Sequence, residues 1–414
     1  MTNWPAHSRR VVPWTSTSRR GTREDRTLAA VTVSIPPMIA DADVPAIAER
    51  DLARARYEAA DLERVADGVL SPLAGFLIRM ESVASSRIEH VEASPIAFAR
   101  AIGGLKENTS AMSMVAAGAA ITKLIDASSL VITLDEILAA HQALMQDDPD
   151  VAERPYAGRV RDVQNWIGGS QYSPRGALYV PPPPEEVPAL LEDLIVFANR
   201  DDVEPVTQAA IAHAHFESIH PFTDGNGRIG RALIGAILRR RGVTPHTVLP
   251  VASALAADTT HYFSLLTAYR AGNVEPIVTD LALCVETAAR EARGTARAFA
   301  QYEDAWREQA SPRAGSAADR ILPVLLTMPV FTVEQLVDEV QDIPERSVYR
   351  GVQVLEEARV VEAVTDRKRD RTYAAMDVLD EFEDLDARIR ERITRLRALG
   401  AEYWKQNPRV AVWY

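Results

Sequence analysis

His220-Pro221-Phe222-Thr223-Asp224-Gly225-Asn226-Gly227-Arg228-Ile229-Gly230-Arg231 puts a histidine, a carboxylate, a glycine-flanked turn and two arginines in one short window. The helix that follows is legible, because Ile229, Ala232, Leu233, Ala236 and Ile237 recur at i, i+3, i+4, i+7 and i+8. Arg239, Arg240, Arg241 and Gly242 end it, with cations suiting the negative pole and glycine the C′ position. Arg228 and Arg231 lie at the opposite pole, where a cation costs roughly a few tenths to 1 kcal/mol. As i, i+3 neighbours their guanidinium groups are expected to converge, and the free N–H groups of the Gly225–Gly227 turn to point the same way. Such positive potential calls for an anion, and a polyphosphate fits best. Asp224 then reads as a ligand for Mg²⁺ bridging phosphate oxygens. His220 reads as the base for an attacking hydroxyl, since its unperturbed pKa of about 6.5 suits neutral pH. Singly, each of these residues has a common structural use; together, with arginines placed against the helix dipole, they point to chemistry.

The window resembles the signature of the Fic (filamentation induced by cAMP) family, His-x-Phe-x-Asp/Glu-Gly-Asn-Gly-Arg-x-x-Arg, at every fixed position. The resemblance implies a mainly α fold: a helical core around the loop and its helix, with a β-hairpin flap that docks the target. It implies a protein adenylyltransferase using ATP and Mg²⁺, with His220 as general base on a Ser, Thr or Tyr hydroxyl of a target protein. Asp224 would hold the metal, and Asn226 with the Gly225 and Gly227 backbone would cradle the α-phosphate. Arg228 and Arg231 would hold the outer phosphates, with Ile229 and Gly230 in the same ATP-binding turn. Tyr262, in His261-Tyr262-Phe263, resembles a tyrosine that contacts the base, and reads equally well as a packed aromatic. Gly227 favours AMP transfer, because a related branch that phosphorylates its target carries lysine there.

Upstream, Ser85 and Glu89 stand i, i+4 on a helical stretch and share a face. They resemble the family's inhibitory motif, Ser/Thr-x-x-x-Glu-Gly/Asn, with His90 in place of the final small residue. The resemblance implies that Glu89 pairs with Arg231 and so lies in the ATP site as a brake, and that it can also orient a water that removes AMP. The usual glycine is expected to end the helix in a left-handed turn, which histidine tolerates less well.

Around this centre the 414 residues divide by pattern. Residues 1–35 read as a disordered basic arm, 36–110 as an N-terminal helical domain with the inhibitory motif, and 111–308 as the catalytic core. Within the core, Tyr156 to Tyr179 interleaves glycines with apolar residues and reads as a β-hairpin or flap. Past the linker Ala310–Ser316, three short helices (Ala318–Leu326, Val333–Val340, Ser347–Ala358) and two strands suggest a winged helix-turn-helix over 316–376, before a last helix in 377–414. Arg346 and Arg350 at its third, recognition helix and Arg367, Lys368, Arg369 and Arg371 in its wing offer a modest patch for DNA, although acids outnumber bases there. A homodimer is the other partner considered.

Composition bounds the rest. The 58 acidic and 46 basic residues give a net charge of −12, which argues against wholesale nucleic-acid coating. A single cysteine, Cys284, excludes an intramolecular disulfide and a multi-cysteine zinc site. No apolar run reaches the roughly 20 residues that span a bilayer, so no membrane partner is expected. The run Leu28–Ala40 is broken by Thr32, Ser34, Pro36 and Pro37 and makes a poor export signal, so the chain reads as cytoplasmic. A competing function is a DNA-binding regulator whose Fic core only senses nucleotide; the intact His220 speaks against it, since a sensor needs no base. Transfer of UMP, GMP or phosphate is a third.

Overall fold

The computed structural model describes residues 4–16, 20–365 and 371–406, the stretch from 400 by its backbone alone. Strands β1 (Ser8–Pro13) and β2 (Ala30–Ile35) pair antiparallel, Ser8 opposite Ile35 and Pro13 opposite Ala30, with helix α1 (Arg23–Thr27) between them. This corrects the disordered arm expected over 1–35 for its described residues. Val31 and Val33 alternate inward and, with Val12, Trp14 and Ile35, pack against Val180, Trp166 and Ala177. The arginine-rich composition hid that alternation.

Helices follow: α2 (Glu49–Val65), α3 (Leu70–Ile88), α4 (Pro95–Ile102), α5 (Thr109–Ala127) and α6 (Leu134–Met145). Their starts are written in the sequence. Ser94 and Asn108 cap α4 and α5, and Thr133 with Glu136 forms a capping box on α6. Beyond the flap come α7 (Val187–Ala198), α8 (Pro205–Ile219), α9 (Asn226–Arg240), α10 (Val251–Ala256), α11 (Thr259–Arg270) and the long α12 (Glu275–Ala310). From Val206 to Ile219 every residue of α8 is buried, which makes it the central helix. It packs against α7, α9, α11 and α12, while α9 also meets α5 and α3.

The flap is less regular than the expected hairpin: one antiparallel bridge, Ile167 with Tyr179, is its only β pairing among the described residues. Gly158, Gly168, Gly169 and Gly176 all take positive φ and coil the chain. A Cβ on Gly169 would come within 2.6 Å of the Ala177 nitrogen, so the backbone doubles back too closely for a ladder.

The carboxy-terminal part has α13 (Ala317–Ile321), α14 (Val324–Thr327), β3 (Val330–Thr332), α15 (Val333–Glu339), α16 (Glu345–Glu357), β4 (Val361–Ala363) and β5 (Thr372–Ala375). The strands form an antiparallel sheet in the order β3-β5-β4. Arg346 and Arg350 are exposed on α16, Arg371 faces Glu356, and Arg367, Lys368 and Arg369 lie outside the described residues. Finally α17 (Met376–Gln406) runs back along α12, α10 and α3. One apolar cluster extends from Trp4 to Ile393, so the N-terminal helices, the central helices and the carboxy-terminal part share a core. No helix among the described residues is long and apolar enough to cross a membrane.

Candidate active site

Helix α8 ends at His220, whose backbone is left-handed (φ 51°, ψ 61°) and whose N–H reaches the Phe216 carbonyl. Two residues on, Phe222 is fully buried, its ring stacked on the His141 imidazole with centroids 3.7 Å apart. The Gly158 amide donates to Nδ1 of His141 at 3.0 Å, so Nε2 carries the proton and donates to the Asp224 carbonyl at 3.1 Å. Burial brings the His141 pKa down to about 4, in keeping with a neutral ring. Asn226 closes the loop: its Oδ1 accepts from the Phe222 amide at 2.8 Å and its Nδ2 donates to the Phe222 carbonyl at 2.9 Å. Gly225 caps α9 at φ 77°, where a Cβ would meet Leu144 at 2.9 Å. The first backbone bond of α9 runs from Ile229 to Gly225. The amides of Asn226, Gly227 and Arg228 are therefore left at the helix's positive pole without a backbone partner among the described residues.

Both arginines are buried, Arg228 at 5% exposure and Arg231 at 2%. Arg228 donates to Ser113 Oγ at 2.9 Å and faces Asp224 at 3.5 Å. Arg231 donates through Nε to Ser85 Oγ at 2.8 Å, and through one terminal nitrogen to the Ser85 carbonyl at 2.9 Å and to Glu89 Oε1 at 2.8 Å. Burial pushes the Glu89 carboxyl up, but the charge and hydrogen bond of Arg231, with Arg228 and His220 behind, hold it below the ordinary carboxylate range. A Cβ on Gly227 would fall on Glu89 Oε1. The carboxylate thus occupies the concavity that the glycine turn leaves open.

His220 is partly accessible, and its Nδ1 is buried without a partner among the described residues. Burial first, then Arg161 and Arg270, lower its pKa to about 3 against the opposing pull of Glu89. At neutral pH the ring is uncharged, and a weaker base than the unperturbed imidazole expected from the sequence.

Residues 131–238, from ahead of α6 to near the end of α9, match the model of the Fic/DOC family. The chain carries a Fic/DOC domain.

Beyond that domain the likeness thins. A Caenorhabditis elegans protein named protein adenylyltransferase fic-1 is 32% identical over 150 residues, which is 36% of this chain and 26% of that protein. One from Nematostella vectensis, named protein adenylyltransferase Fic, is 30% identical over 158 residues, or 37% of this chain and 33% of that protein. The matched stretch therefore spans about a quarter to a third of these relatives' length. The crystal structure of a Fic family protein from Desulfovibrio desulfuricans G20 superposes with a TM-score of 0.52, at 22% identity, over 80% of this chain and 98% of that one. It shares the fold.

Within the Fic domain and beside it, some residues serve differently from what the sequence implies. The Asn226 amide ties down the Phe222 backbone through one donated and one accepted bond, and so shapes the loop. Ile229 is 1% exposed and packs into the core. Gly230 lets α9 approach α8, since a Cβ would lie 2.6 Å from Glu217 Oε1 and 3.0 Å from the Phe216 ring. Tyr262 is 1% exposed with its hydroxyl 2.8 Å from His213 Nε2, which is the packed aromatic and not a surface open to a base. His141, Ser113 and Arg161 shape the site and went unread. Nothing adjacent to His141 or Ser113 marks them, and Arg161 is one of three arginines in the flap sequence, with Arg159 and Arg175, none of them distinguished by its neighbours.

Proposed function

We propose that this protein is an adenylyltransferase, moving AMP from ATP to a Ser, Thr or Tyr hydroxyl of a target protein, and that Glu89 holds it off. His220 accepts the hydroxyl proton as the hydroxyl oxygen attacks the α-phosphorus. The new P–O bond forms while the bond from the α-phosphorus to the pyrophosphate oxygen breaks, and pyrophosphate leaves. The unpartnered amides of α9 receive the negative charge that develops on the α-phosphate. Arg228 and Arg231 bind the outer phosphates. Asp224 is 54% exposed on its side chain and faces Arg228 across 3.5 Å. A lone, open carboxylate suits Mg²⁺, which keeps several waters and is held by one or two carboxylates plus substrate phosphates. No cluster of three or more His, Cys, Asp or Glu ligands competes for a metal among the described residues. Mg²⁺, when bound, neutralises charge on the phosphates.

One observation supports the reading above all: the Glu89 carboxylate on Arg231, in the space beside Gly227. The experiment incubates wild type, Glu89→Gly and His220→Ala with ATP labelled at the α- or the γ-phosphate. Label from α-labelled ATP appears on Glu89→Gly, at least tenfold above wild type, and is absent from His220→Ala. Label from the γ-position would make the enzyme a phosphotransferase. No label in any form, in lysate and across magnesium concentrations, would favour the DNA-binding nucleotide sensor instead.

A further inference from the structure

Arg161 is one of the most thoroughly buried charged residues of the chain, at 2% exposure, and it meets carbonyl oxygens where a buried guanidinium ordinarily meets a carboxylate. Its Nε donates to the His220 carbonyl at 2.8 Å, and its terminal nitrogens donate to Val163 at 3.0 Å, Pro182 at 2.6 Å and Ile219 at 3.4 Å. Its own amide donates to the Pro221 carbonyl at 2.9 Å. One residue therefore binds three consecutive carbonyls, those of Ile219, His220 and Pro221, and joins them to both ends of the flap, Val163 and Pro182. The middle residue of the three is the one in left-handed backbone, a conformation that a histidine adopts at a cost of order 1–2 kcal/mol. Something must over-determine it. The α8 hydrogen bond from His220 to Phe216 is one constraint, and the Arg161 fork supplies the others.

We propose that Arg161 is a positioning residue: it fixes the backbone that aims the His220 imidazole and ties that aim to the flap. This rests on His220 being the base. The same side chain acts on the ring's charge. The charged groups that face His220 are Arg161 from the flap, Arg270 from the end of α11 and Glu89 from beyond α3, with the Glu217 backbone on its own helix, like Glu89, favouring the charged ring. Burial lowers the Arg161 pKa only to about 10, so it remains a cation at neutral pH and adds to the burial that keeps the imidazole unprotonated.

The test uses the full chain in the Glu89→Gly background, with Arg161→Met (charge and fork lost) and Arg161→Lys (charge kept, fork lost). Imidazole resonances of His220 are followed by NMR from pH 5.5 to 8, and label from α-labelled ATP is measured against ATP concentration and pH. In the parent, His220 does not titrate over this range. In Arg161→Met the His220 resonances move away from their parent positions as the backbone that aims the ring is released, and the acid limb of labelling moves to higher pH while burial still holds the ring below its ordinary pKa. In Arg161→Lys the acid limb stays put, yet the rate at saturating ATP falls on the order of 10- to 100-fold with half-saturation unchanged, as expected for a misplaced reacting group. Parent-like His220 resonances in Arg161→Met overturn the proposal; if that variant does not fold, a parent-like saturating rate in Arg161→Lys does so. Should Glu89→Gly take no label, the adenylyltransferase reading fails while the resonances still decide on Arg161.

Discussion

Arg231 has its guanidinium filled from within the chain by Ser85 and Glu89, and the place where Glu89 rests exists because position 227 has no side chain. Gly227 and Glu89 are therefore energetically coupled, and a double-mutant cycle measures the coupling. Gly227→Ala should lower unfolding free energy in wild type by about 1 kcal/mol more than in Glu89→Gly, where the space is vacant. Equal losses in chemical denaturation of the two backgrounds would contradict the packing. At this scale the sequence was unusually informative. Arginines at a helix's positive pole oppose the dipole, so their presence announces an anion, and the i, i+4 relation of Ser85 and Glu89 announces a shared face. Asn226 and Tyr262 were less legible, because a residue type does not say whether its polar atoms are already engaged. Only coordinates show the Asn226 amide closed on Phe222 and the Tyr262 hydroxyl closed on His213.

The element that carries Glu89 is α3, and it is held along its length. Glu81 accepts the Ala252 amide at 2.8 Å, Phe76 meets Phe299 and Phe382 edge-on, and Arg87 pairs with Asp386 at 2.7 Å. Its end is a Schellman turn: the Val91 amide donates to Ser86 and the His90 amide to Arg87. His90 occupies the left-handed C′ position at φ 60°, so the turn forms even with the histidine that tolerates it less well than glycine. The carboxy-terminal helix α17 thus braces α3 through Phe382 and Asp386. Removing that brace by Phe382→Ala should free α3 to shift. Self-labelling of the wild-type chain then rises severalfold, and labelling of Glu89→Gly stays level. A rise in both, or in neither, would show that α17 does not act through Glu89. The flap was the element least legible in the sequence. Interleaved glycines and apolar residues fit a hairpin, but four glycines at positive φ take the backbone out of the extended region, and the side chains of Arg161, Gln164 and Trp166 serve the carbonyls of Val163, Asn165 and Ser170.

Across the whole molecule, parts that look separate in sequence are packed as one. The N-terminal hairpin lies against the flap, where Trp14 meets Trp166 edge-on and Ser173 donates to Asp25 at 2.8 Å. Its burial was unreadable because its partners, Val180 and Trp166, lie some 150 residues downstream. The carboxy-terminal helix closes on α12, with Arg397 donating to Asp280 at 2.7 Å and Arg388 to Thr295 Oγ1 at 3.1 Å. Helix periodicity and caps foretell the elements, whereas which element covers which depends on contacts between distant segments. Under the proposed function this arrangement is a closed state, in which the chain's own Glu89 carboxylate takes the Arg231 guanidinium that the γ-phosphate would use. Comparing the affinities of ATP and ADP by calorimetry, in wild type and in Glu89→Gly, tests that state most directly. With Arg231 occupied, the γ-phosphate gains nothing, so wild type should bind ATP and ADP alike. Glu89→Gly should favour ATP over ADP by about tenfold, the worth of roughly 1.4 kcal/mol from one charge-assisted contact. An ATP-to-ADP ratio that stays the same when Glu89 is removed would mean that Arg231 is not the group the two anions contend for.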